Sequence, residues 1–176
     1  MKKIFITLIL MLFCPGIHAE ITPQDNNLFL MKSGSFHSQG NLLDRYTCDG
    51  RDISPQLSWE GIPSQTKSLA LTFVDLDAPS GSFYHWVIYN IPPQVNSLKE
   101  GISLFPPPIV MGMNSWNKKQ YNGPCPPAGA THYYVFTLYA LDQMLTPAKK
   151  FNINQLMNQI QKHLLDKIEL GVSYGR

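Results

Sequence analysis

Between Phe73 and Pro92 the chain reads FVDLDAPSGSFYHWVIYNIP, and this stretch leaves little freedom in how the rest can fold. An apolar run, Leu69–Val74, ends in two acids, Asp75 and Asp77. The turn formers Ala78-Pro79-Ser80-Gly81 follow, and then a second β-rich run, His85–Ile91. Apolar runs bounded by turn residues predict two strands joined by a short connection. Pro79 fixes its own φ, and an Ala-Pro bond adopts cis more readily than other peptides, so the turn is predicted to be rigid. Two carboxylates at the end of one strand then face His85 at the start of the next. A carboxylate beside an imidazole fixes its tautomer and raises its pKa, which suits the ring to meeting an anion. The plainer alternative is a hairpin whose acids cap a turn and whose histidine is half-buried.

The 176 residues bound the molecule to one domain or two very small ones. Residues 1–19 have the pattern of a cleaved leader. Lys2 and Lys3 make a basic start, Ile4–Phe13 is apolar, and Ile17-His18-Ala19 offers a small residue at the cut. The apolar run is too short to span a membrane. Lipidation at Cys14 and a buried N-terminal helix are the competing readings. The expectation is an exported protein whose single domain covers residues 20–176.

Loss of the leader takes Lys+Arg from 14 to 12, equal to the 12 Asp+Glu. A chain with no net charge and no long basic run lacks the footprint of a nucleic-acid binder. Any anion must be held by a local site. Beyond Cys14, two cysteines remain, Cys48 and Cys125, both in turn-rich segments. In an oxidising compartment such a pair reads as one disulfide, with two buried thiols as the alternative. Cysteines so far apart make no metal motif, and no cofactor is expected.

Leu28–Met31 and Ile53–Trp59 read as short strands, with Pro55 placing the second at an edge or in an irregular segment. Residues 92–131, rich in Pro, Gly and Asn, read as an ordered loop that closes over something. The strongest strand is His132–Leu141, whose alternation puts His132 and Tyr134 on one face. One helix is predicted over 153–165, from the spacing of Ile153, Leu156, Met157, Ile160 and Leu164. Asn152 with Gln155 resembles a capping box. Met157 is assigned to the core and His163 to the last helical turn, where the dipole favours it.

Asp75-Leu76-Asp77-Ala78-Pro79, His85-Trp86-Val87, Gly123-Pro124-Cys125-Pro126-Pro127 and His132-Tyr133-Tyr134, in that order, resemble the phosphatidylethanolamine-binding protein family. Cys48-Asp49-Gly50 with Ile53-Ser54-Pro55, and Asn114-Ser115-Trp116, resemble its bacterial, Raf-kinase-inhibitor-like branch (YbhB/YbcL). Two positions depart from the family pattern: Leu76 stands in place of Pro, and Asn117 in place of Gly. Asn tolerates the left-handed region, so that turn can survive. The resemblance implies a mainly β fold, an antiparallel β-sandwich with peripheral helices, and a small anion pocket at one end. Its lining, carried over by motif, would be Asp75, Pro79, Phe83, His85, Gly123, His132 and Tyr134. Two imidazoles, a phenol and the Gly123 N–H would donate to phosphate oxygens, while Asp75 would orient His85 or meet an amine on the ligand.

The ligands this implies are phosphate, phosphoethanolamine-like groups or other small anions. The fold is also compatible with a protein partner that it modulates or inhibits, and with a homodimer. A hydrolase using an Asp/His pair in the same pocket is the alternative from a different class. Against it, the chain has no Gly-x-Ser-x-Gly elbow, no His-Glu-x-x-His and no glycine-rich phosphate loop. No nucleophile is evident beside the pair.

Overall fold

The computed structural model describes residues 28–146 and 152–176, so the leader expected at residues 1–19 lies outside the described residues. In chain order the elements are β1 (Leu30–Lys32), β2 (Leu57–Glu60), β3 (Ser68–Asp75), β4 (Phe83–Ile91), β5 (Ser97–Leu98), β6 (Val110–Met111), β7 (Thr131–Leu141), α1 (Ile153–Lys162) and β8 (Leu164–Gly175). They form two antiparallel sheets, one ordered β1-β2-β5 and the other β6-β4-β3-β7-β8.

The apolar run at Leu69 is continuous rather than alternating because β3 lies at the centre of the larger sheet and is covered on both faces. Leu69, Leu71 and Phe73 join Trp86, Ile88, Phe136 and Leu138 in a cluster that includes Met31, Leu57, Trp59 and Leu98 of the smaller sheet. This is the core of the sandwich. On the other face, Ala70, Val87, Tyr89, Tyr139 and Leu141 pack with Leu156 and Ile160 of α1. Met157 is only partly buried against this second cluster. The molecule therefore has three layers, small sheet, large sheet and helix, each interface closed by the alternating faces of the central strands.

The capping box at Asn152 and Gln155 forms in both directions. The helix is shorter than its predicted 153–165, because His163 is the C-cap and Leu164 already begins β8. Leu164 fits the helical spacing by coincidence. From Ile168 onward the period is two: Ile168, Leu170, Val172 and Tyr174 all reach the core cluster, Ile168 as a partly buried member. Pairing with β8 satisfies the outer backbone of β7, which would otherwise be a bare eleven-residue edge. His163 donates from Nδ1 to Asp142 Oδ1 at 2.9 Å, at the far end of β7 from His132. With a rise of about 3.3 Å per residue that end is roughly 30 Å away.

Residues 92–131 are mostly irregular, interrupted by the two-residue strands β5 and β6. Their final part lies along the start of β4, where Ser115 N–H bonds Tyr84 O at 2.9 Å and Asn122 N–H bonds His85 O at 3.2 Å. Cys48 and Cys125 form a disulfide with Cα atoms 5.4 Å apart. Asn117 takes φ 57°, the left-handed turn expected where the family pattern has Gly.

Candidate functional site

Antiparallel register decides which residues meet. Asp75, the last residue of β3, pairs with Phe83 of β4 on one side and Tyr134 of β7 on the other. Three neighbouring strands thus bring their polar ends to one rim of the sandwich. The β3–β4 ladder then slips by one residue: Phe73 opposes Trp86 while Val74 opposes Tyr84. His85 is the extra residue of that bulge, and a bulge breaks strict alternation. Both His85 and Trp86 consequently reach the inner side. The His85 ring lies 5.6 Å from Phe73 and 5.4 Å from Tyr134, and Trp86 belongs to the sandwich core.

Asp75 is 5% exposed, and its carboxylate has two partners. Oδ2 accepts from His132 Nδ1 at 2.7 Å, and Oδ1 accepts the Asp77 N–H at 2.9 Å. A carboxylate only accepts, so the His132 proton sits on Nδ1 and Nε2 is left for another partner. Asp77 in turn accepts the Tyr133 N–H at 2.7 Å, which ties the end of β3 to the start of β7. The expectation that Asp75 orients His85 is corrected: its imidazole partner is His132.

His85 is held differently. Its Nδ1 donates to the Asn122 carbonyl at 2.8 Å, which again leaves Nε2 for a ligand. Burial pushes this imidazole below its ordinary pKa. The Asn122 carbonyl, the Asp75 carboxylate, the Gly123 backbone and the Asp52 carboxylate oppose that shift without reversing it. The raised pKa expected from a carboxylate neighbour is therefore corrected, because desolvation outweighs the charges.

Tyr134 is fully buried, and its hydroxyl makes no hydrogen bond among the described residues. Burial, and then the nearby Asp75, push its pKa upward, so it stays a neutral donor. Phe83 and Trp116 form the apolar side of the cluster, with ring centroids 4.6 Å apart and Trp116 5.0 Å from His85. Trp116 is placed by the buried Asn114, whose Oδ1 accepts the Trp116 and Lys118 N–H groups while Nδ2 donates to Asn122 Oδ1 at 2.8 Å.

Gly123 is required by space: a Cβ there would strike the Tyr46 carbonyl. Its N–H, expected to serve a phosphate oxygen, is already given to Asp52 Oδ1 at 2.5 Å. Pro79 stays in the exposed turn between β3 and β4, away from the contacts that join Asp75, Phe83, His85, His132 and Tyr134. Asp52, Asn114, Trp116 and Asn122 have roles here that residue patterning did not assign. The available signal was the Asn114-Ser115-Trp116 segment, which carried the family likeness without showing its contacts.

An antiparallel sandwich with two imidazoles, a buried carboxylate and a buried phenol at one rim defines a class of small β folds. The chain belongs to the phosphatidylethanolamine-binding protein family: the family model of that description matches residues 32–175. A UPF0098 protein of Methanothermobacter thermautotrophicus is 42% identical over 149 residues, spanning 83% of this chain and 98% of the relative. Among solved structures, a phosphatidylethanolamine-binding protein homolog from Chlamydia trachomatis superposes with TM-score 0.77 at 34% identity, covering 84% of this chain and 97% of that one. YbcL of E. coli, described as a member of the mammalian PEBP family, gives TM-score 0.78 at 27% identity, covering 84% and 98%. The bacterial branch of the family is thereby supported.

Proposed function

We propose that this chain is an exported binding protein for small anions, with phosphate and phosphorylated head groups such as phosphoethanolamine as its ligand class. The observation that carries the reading is the buried Tyr134 hydroxyl, which has no hydrogen-bond partner among the described residues, beside two imidazoles whose Nδ1 atoms are both occupied. A buried polar group left unpaired costs about 1–3 kcal/mol, and an anion oxygen in hydrogen-bond reach would remove that cost. The family membership and the names of its relatives support the same ligand class. Export is supported by the leader pattern of residues 1–19 and by the disulfide.

The test is calorimetry with inorganic phosphate on the wild type, His85→Ala and His163→Ala. A hydrogen bond to a charged group is worth about 1.5–3 kcal/mol, so His85→Ala should weaken binding by about tenfold or more. His163→Ala, at the opposite end of β7, should bind as the wild type does. Equal affinity in all three proteins would exclude the site.

The pH dependence has a definite sign. Burial holds His85 below its ordinary 6.5, so the ring is neutral at pH 7 and Nε2 is an acceptor. Protonation converts that acceptor into a charged donor. Anion binding therefore favours the protonated ring, and affinity should rise as pH falls through the region below 6.5. Sulfate is the suitable probe, since its charge does not change over that range. A flat profile between pH 7.5 and 5 would remove His85 from the ligand contacts.

A further inference from the structure

The second carboxylate near His85 does not touch it. Asp52 precedes β2, in the loop that also carries Cys48, and holds φ 54° in the left-handed region. Its Oδ1 accepts the Gly123 N–H at 2.5 Å. The peptide unit between Asn122 and Gly123 is trans, so its C=O and N–H point in opposite directions. The carbonyl side of that same unit accepts His85 Nδ1–H at 2.8 Å. Carboxylate, peptide and imidazole therefore lie in one hydrogen-bonded line, and the Gly123 N–H points away from the ring rather than toward a ligand.

We infer that Asp52 is a positioning residue for His85, acting through the Asn122–Gly123 peptide to fix the ring's tautomer and to make it more basic. The inference rests on His85 being a ligand contact of the proposed anion site. A carboxylate accepting from a peptide N–H pulls electron density toward that peptide's oxygen and strengthens it as an acceptor, since hydrogen bonds in series polarise one another. The stronger acceptor retains the proton on Nδ1 and presents Nε2 at the site. The two imidazoles are thus each backed by an acid, His132 by Asp75 directly and His85 by Asp52 through one peptide.

Several features hold the line in place. Asn122 N–H returns a bond to His85 O at 3.2 Å, so residues 85 and 122 are tied twice. Cys48 N–H bonds Pro124 O at 3.1 Å, and the disulfide joins the loops carrying Asp52 and Gly123. A side chain at position 123 would collide with the Tyr46 carbonyl, which keeps the peptide close to Asp52. The other titratable groups around the ring are Asp75 from β3 and Tyr134 from β7, with His132 lying against Tyr134. Asp75 contributes charge but takes its hydrogen bond from His132.

The experiment is nitrogen-detected NMR titration of the histidine rings in the wild type, Asp52→Asn and Asp52→Gly, with phosphate affinity measured alongside. Asn keeps an acceptor for Gly123 and suits the left-handed backbone while losing the charge, and Gly suits the backbone while losing both. In Asp52→Asn the His85 pKa should drop below its wild-type value. In Asp52→Gly the Nε2–H tautomer of His85 should become populated, and phosphate should bind more weakly than to the wild type. A purely structural role for Asp52 would move neither the titration nor the tautomer of a folded protein. An unchanged His85 pKa in folded Asp52→Asn overturns the inference, as does a pure Nδ1–H tautomer in Asp52→Gly. If the wild type binds no phosphate the anion reading fails by itself, and the ring titration still decides the part played by Asp52.

Discussion

Phe73→Ala is expected to cost about 3–5 kcal/mol of folding stability, the range for removing a large buried aromatic side chain. Phe73 has no exposed surface, lies on the central strand, and stacks on Phe136 with centroids 3.8 Å apart. Tyr121 is parallel to it at 5.9 Å, and Tyr134 and His85 lie within 5.8 Å. The residues around the cavity sit on a sheet covered from both sides, so little collapse is available to offset the loss. The same ring supports both His85 and Tyr134, so anion affinity should fall in whatever fraction remains folded. Urea unfolding with the disulfide intact measures the first effect and calorimetry the second. A stability loss under about 1 kcal/mol would mean that neighbouring rings close the gap and that the stack is not the keystone of the core.

Removing the disulfide by Cys48→Ser with Cys125→Ser should cost about 2–5 kcal/mol, since the bond closes a long loop in the unfolded chain. The separation is 77 residues, and both cysteines stand at exposed positions where they add little apolar burial. The folded-state consequence is more local. Cys125 lies two residues beyond Gly123, and Arg176 pairs with Asp49 at 2.9 Å beside the bridge. Without the bridge the Asn122 carbonyl is less firmly placed against His85, so phosphate affinity should weaken before the fold is lost. Thermal unfolding of oxidised wild type against the double variant, with calorimetry well below the transition, separates the two effects. Equal melting temperatures would show that the surrounding hydrogen bonds alone fix these loops.

The central strands were legible because burial on both faces, or alternation on one, writes itself directly into residue type. β8 was not. Leu164 continued the helical period of Ile153 and Ile160, and Asp166, Lys167 and Glu169 masked the alternation that begins at Ile168. The two-residue strands β5 and β6 carry too few residues to show any period. In the candidate site, the residue types at the strand ends were readable, but their partners were not. Asp75 pairs with His132 across 57 residues and Gly123 with Asp52 across 71, and both follow from strand register and loop crossing rather than from local spacing. Asp75 and His85 are close in sequence, which made them look like partners, while the bulge turned His85 toward the Asn122 carbonyl instead.

That bulge makes the location of the imidazole a question of parity. Tyr84 and Val87 belong to the outer layer, Trp86 and Ile88 to the inner one, and His85 is the odd member that lets the count change hands. A second offset near Asn90, with φ 58°, shifts the count again before Ile91 returns to the core. Deleting Val87, between the two offsets, would turn Ile88 outward and Tyr89 inward, reversing each side chain as far as the second offset. Insertions and deletions in this strand are therefore far more restrictive than substitutions, and a relative lacking one residue here would have to move its histidine to keep the same rim.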